Sequence, residues 1–161
     1  MPDDLIDDLS GTVEEREAAT QELLLAKERA VEPLLHSLAD SQRAEARAAL
    51  VEILVSLMIR VDDERIGSAL TRLLAQDSDA TLRGRLIRLA GMHRRTQLLD
   101  AVITALGDTD AKVRLEAIIA FDSFSGRLGP EQEAVVDSLA RLLLHDDEIA
   151  VRNEAMIRVV S

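Results

Sequence analysis

At 161 residues with a net charge of −11, the chain is sized for one domain with a substantial core and carries a large acidic excess. It has no Cys, Trp or Tyr, which excludes disulfides, zinc fingers, iron–sulfur clusters and a thiol nucleophile, and its two Phe leave little for a β-sandwich or for base stacking. An acidic chain is repelled by nucleic acids and anionic membranes; with no long apolar run and no basic N-terminal region, the sequence predicts a cytoplasmic protein.

Leu and Ala dominate, with 26 and 22 copies, and favour helices. The predicted elements are five helix pairs within one domain spanning 1–161, at about 3–26, 29–59, 64–92, 96–124 and 130–160. The first helix of the second pair carries Val31, Leu34, Leu35 and Leu38, an i, i+3, i+4, i+7 stripe. In the fourth pair the stripe is Leu98/Leu99, Val102 and Leu106, and the following helix buries Val113, Ala117, Phe121 and Phe124. In the fifth it is Val135/Val136, Leu139 and Leu142/Leu143. Pro130 suits a first helical turn, and the Gly-containing loop at 125–129 before it is the expected flexing point.

The pairs are copies of one another. Asp77/Arg83, Asp108/Arg114 and Asp146/Arg152 each place an Asp six residues before an Arg that follows Val or Leu. Weaker copies centre on Arg47 and Arg16. Asp, Ser and Thr in each turn are expected to cap the second helix, while each Arg bridges to the turn of the next repeat. One helix pair cannot hide its own apolar stripe, so stacked pairs form a continuous core. The fold class is therefore all-α, a right-handed α-solenoid of about five helix pairs.

The segment Glu28-Arg29-Ala30-Val31-Glu32-Pro33-Leu34-Leu35 resembles the first helix of the HEAT-like repeats named after phycocyanobilin lyase, and the Asp…Val-Arg…Ala blocks resemble their turn and second helix. The resemblance implies that the second helices line a concave side where partners bind. The positions opposite the core stripe then form the expected partner face: Arg85, Arg88 and Met92 in the third pair, Lys112, Leu115, Glu116 and Ile119 in the fourth, Asn153 and Ile157 in the fifth. The recurring Asp77, Arg83, Asp108, Arg114, Asp146 and Arg152 are expected to be a structural ladder, because a stacking contact must recur in every repeat.

His36, His93 and His145 lie in different repeats without ligand spacing, so neither metal nor another cofactor is expected. Residues 65–95 hold two acids against seven arginines, a basic island between acidic flanks. The expected function is a non-catalytic scaffold or adaptor, gripping a protein partner that offers an acidic and apolar docking segment. The resemblance implies one alternative, a bilin lyase-like chromophore-handling subunit; the basic island suggests another, DNA binding. The C-terminal helix stays apolar to Val159 and Val160, which makes that end a possible homodimer contact.

Overall fold

The computed structural model describes residues 2–41, 44–124 and 131–160. The loop at 125–129 and Pro130 lie outside them. All regular structure among the described residues is helical. The chain divides into two compact units, 1–72 and 73–161, with the division falling inside one helix.

The first unit begins with α1 (Pro2–Asp8) and α2 (Val13–Ala26), followed by α3 (Glu28–Asp40) and α4 (Ala44–Leu57). A reciprocal cap starts α2. The Thr12 hydroxyl accepts from the Glu15 backbone N–H at 3.3 Å, and the Glu15 carboxylate accepts from the Thr12 N–H at 2.7 Å. Those bonds to Thr12 hold the Glu15 carboxyl below its ordinary range. Lys27 turns the chain between α2 and α3 with a φ of 50°, a left-handed conformation that costs a residue with a Cβ about 1 kcal/mol or more. Leu9, Leu23, Val31, Leu34, Leu50 and Leu54 meet in the core of this unit. They lie on the faces along which α1, α2, α3 and α4 pack on one another.

α5 (Glu64–Gln76) leads into the second unit, which contains α6 (Ala80–Met92), a 3-10 turn (Thr96–Leu98) running into α7 (Leu99–Ala105), then α8 (Ala111–Asp122), α9 (Glu131–His145) and α10 (Ile149–Val160). Helix α6 packs on α8 and α8 on α10, while α7 backs α8 and α9 backs α10. Second helices thus form one layer and first helices another, the architecture of an α-solenoid. The core is Leu86, Ile87, Val102, Val113, Ala117, Ile118, Phe121 and Phe124, with Val135, Leu139, Val151 and Ala155 continuing it. At one crossing α6 and α8 touch backbone to backbone: a Cβ added to Gly91 would lie 2.9 Å from Cα and Cβ of Ala120. No side chain fits there, so that glycine sets the spacing of the second-helix layer.

Candidate functional site

The ladder residues sit where the second unit's repeats meet. Arg83 on α6 donates from Nε and Nη2 to both carboxylate oxygens of Asp108 in the turn before α8, at 2.9 and 2.7 Å. Arg114 on α8 does the same to Asp146 before α10, at 2.7 and 2.8 Å. The third branch of each guanidinium clamps its own turn. Arg83 Nη1 donates to the Asp77 carbonyl at 2.6 Å, and Arg114 Nη1 to the Asp108 carbonyl at 2.8 Å. Arg152 Nη1 donates to the carbonyls of Asp146 and Asp147. Two parallel bonds per pair fix the register between neighbouring repeats, which a lysine's single ammonium would not do.

The electrostatics follow from that geometry. Bonding to Asp108 and Asp146 raises Arg83 and Arg114 above their ordinary range. Burial pushes the Asp108 carboxyl up, but the bonds from Arg83 and the Asp110 N–H outweigh it, and the net result is below the ordinary range. The bonds from Arg114 hold the Asp146 carboxyl down likewise.

One detail differs from expectation. The ladder aspartates do not cap the second helices. Asp79 and Asp110, two residues further on, are the caps, each accepting from two backbone N–H groups of α6 and α8. Asp77, Asp108 and Asp146 instead accept from the backbone N–H of Asp79, Asp110 and Glu148. An oxygen that bends the turn and receives an arginine fork cannot also reach the first free N–H groups of the helix. The doublet spacing Asp-x-Asp in 77–79 and 108–110 was the signal for this division of labour.

The expected partner face is only partly assembled as one surface. Arg85, Arg88, Lys112 and Glu116 line a groove of about 280 Å³ between the first turns of α6 and α8, floored by Ala80, Thr81 and Gly84 and closed on one side by Asp110. A Cβ added to Gly84 would meet the Glu116 Cγ at 3.7 Å and a Val113 methyl at 4.0 Å, so a small side chain would fit there. Arg88 lies 3.7 Å from Glu116, so the groove presents cations and carboxylates together. Helical spacing also places Thr81 on the exposed face of the third pair, whereas Gly84 and Asp110 were not singled out from the sequence. Beyond the groove, Met92 and Ile119 stand exposed at 68% and 44%, and Leu115 is half-buried. Asn153 and Ile157 on α10 are exposed and do not line the groove.

Part of the basic island is spent on internal pairs. Arg65 forks onto Asp63 at 2.7 Å and also pairs with Glu32, and Arg83 is taken by Asp108. His36 meets Asp40 at 3.2 Å on the exposed side of α3. Among the described residues no group of three or more His, Asp or Glu is placed to hold a metal ion, and no helix is long and apolar enough to cross a membrane.

Comparison with known proteins bears on this arrangement. One solved structure, the complex of CpcE and CpcF of phycocyanin lyase from Nostoc sp. PCC7120, matches with a TM-score of 0.71 at 21% identity, covering 98% of this chain and 96% of that one. No curated protein matches at the level of sequence. The likeness shows a shared fold. It corrects the expectation of a non-catalytic chain, because the fold it shares along nearly its whole length is that of an enzyme's components. The family model for HEAT repeats matches residues 67–158, which take in both Arg–Asp forks and the α6–α8 groove. The chain belongs to the HEAT-repeat family.

Proposed function

We propose that the chain is a subunit of a bilin lyase-type enzyme, handling an open-chain tetrapyrrole together with a second protein chain. The observation that carries this reading is the match along nearly all of both chains to a component of a two-protein phycocyanin lyase complex. The groove between α6 and α8 suits the chemistry. A bilin carries propionate carboxylates and pyrrole N–H groups on one flat, apolar frame. Arg85, Arg88 and Lys112 would take the carboxylates, Glu116 the N–H groups, and the exposed Ile119 the ring face. The groove is too small to enclose a whole tetrapyrrole, so it would hold one edge and leave the rest to the second chain. With no cysteine, this chain supplies no thiol, and its part is to bind and orient.

The acidic and apolar docking segment expected from the sequence would compete for the same cations. DNA is the weaker reading, since the chain's net charge of −11 repels phosphates and Arg65 and Arg83 of the basic island are already paired within the chain. The test is an absorbance titration of a free bilin with the purified chain. A shift in the bilin band that is lost in an Arg85→Glu/Lys112→Glu variant of unchanged helicity supports the reading. An unchanged band overturns it.

A further inference from the structure

We propose that a cavity in the first unit, walled by the ends of α1 and α3 and the start of α4, binds an aliphatic polyamine in its ammonium form. The cavity holds about 420 Å³, more than the groove between α6 and α8, and is of a size that suits a small ligand. Its floor is apolar, since Leu9 and Leu50 line it and are each 1% exposed. Its charged groups are the carboxylates of Asp7 on α1 and Asp40 on α3, and Ser10 and Ser37 add hydroxyls. No Lys, Arg or His is among the described residues that line it. His36 meets Asp40 at 3.2 Å but is not part of the lining.

Two observations give the ligand its sign. The C-terminus of a helix is the negative end of its dipole, where a basic residue in the last turn is the favourable choice. The last turns of α1 and α3 hold no base and bring Asp7 and Asp40 to the cavity instead. These carboxylates add to the charge of the helix ends rather than offset it, and a cation in the cavity relieves both. The field around them has the same sign, because residues 1–41 hold eleven acids against three Lys and Arg. The second observation is that, among the described residues, the side chains of Asp7, Ser10 and Ser37 have no hydrogen-bonding partner. Their oxygens are open acceptors around one cavity.

The lining then selects among cations. Among the described residues no group of three or more His, Asp or Glu is placed to hold a metal ion, and a metal ion has no use for a floor of leucines. An alkylammonium uses both parts. Its three N–H groups donate to carboxylate and hydroxyl oxygens, and its methylenes cover Leu9 and Leu50. Carboxylates on two separate helices suit two ammonium groups on one chain. The cavity belongs to the first unit and the bilin groove to the second, so this inference does not rest on the bilin reading.

The test titrates the full, methyl-labelled chain with 1,4-diaminobutane at physiological ionic strength and follows the Leu9 and Leu50 methyls by nuclear magnetic resonance. Saturable shifts at both are expected. The dissociation constant should rise about tenfold or more in Asp7→Asn/Asp40→Asn, which removes the charge, and in Ala46→Leu, which keeps the charge and fills the cavity that Ala46 lines. Circular dichroism checks each variant, and should one lose helicity the other carries the comparison. No saturable shift overturns the proposal. So do equal shifts with Mg²⁺ or with 1-butanol, which would report a counter-ion atmosphere or apolar contact alone, and so does undiminished binding in a folded variant.

Discussion

Removing one carboxylate from the ladder is the sharpest test of how the second unit holds together. In Asp108→Ala, Arg83 keeps its bond to the Asp77 carbonyl but loses both bonds to Asp108. The two side chains are each only 10% exposed, so water reaches the stranded guanidinium poorly. A guanidinium does not escape by deprotonation, and breaking a buried pair in this way costs about 3–5 kcal/mol. The Asp110 N–H loses its acceptor as well, worth about 1 kcal/mol and partly the same loss. A net cost of about 4 kcal/mol is a large share of the roughly 5–15 kcal/mol that holds a domain folded. In urea, with a slope of about 2 kcal/mol per molar, the midpoint falls by about 2 M. Far-ultraviolet circular dichroism reads the transition, since the chain has no Trp. Replacing both partners with apolar residues, Arg83→Met with Asp108→Leu, is expected to restore most of the loss, because no buried charge is then left alone. The exposed pair of Arg65 with Glu32 is the control, and Glu32→Ala should hardly move the midpoint. A loss of about 1 kcal/mol or less in Asp108→Ala, the range of surface pairs, refutes the assignment of the ladder as the register-setting contact.

Two further outcomes follow from the same structure. Gly91→Ala forces α6 and α8 apart at Ala120 and is expected to cost about 1–3 kcal/mol, read as a lower melting temperature, whereas Gly67→Ala, whose nearest neighbour is a Met58 methyl at 3.8 Å, is tolerated. The carboxyls of Asp108 and Asp146 lie below the ordinary Asp value of 3.8 in the folded chain, so their stabilisation is complete above that value and is lost as pH falls below it toward their folded values. Urea midpoints should therefore drop steeply below about pH 4, and Asp146→Asn should flatten that drop while lowering the plateau above it.

The fold was legible because repetition is written in the linear chain. Asp and Arg six apart recur with apolar stripes at helical spacing, and a sequence that repeats a helix pair has few ways to bury it other than by stacking. The ladder residues were legible for the same reason, down to the bridge from Arg to the next turn. Which aspartate caps and which one bridges was not, because both jobs suit Asp and only the turn geometry separates Asp108 from Asp110. The groove was half legible. Helical spacing placed Thr81, Arg85, Arg88, Lys112 and Glu116 on exposed faces, but that the α6 residues and those of α8 with its cap Asp110 line one groove follows only from how α6 packs on α8. The exposed Leu144 was not singled out, because an apolar residue beside a helical stripe reads as core unless the number of neighbours is known. The expectation that the chain is non-catalytic came from the absence of catalytic constellations, which is weak ground for a protein whose chemistry can lie in the molecule it holds.

The Arg–Asp forks join residues 25 and 32 positions apart, never the distant ends of the chain. Topology of that kind favours rapid folding, since each loop that closes is short and rewards its closure at once. It also makes cooperativity a nearest-neighbour affair. A tract of such repeats melts inward from whichever end is least covered, as a zipper does. In the second unit α10 is held by α8, by α9 and by the Arg158 pairs to Asp122 and Glu154, but its Arg152 forks onto no carboxylate among the described residues. Hydrogen exchange would fade there first, and then in α8 and α6 behind it.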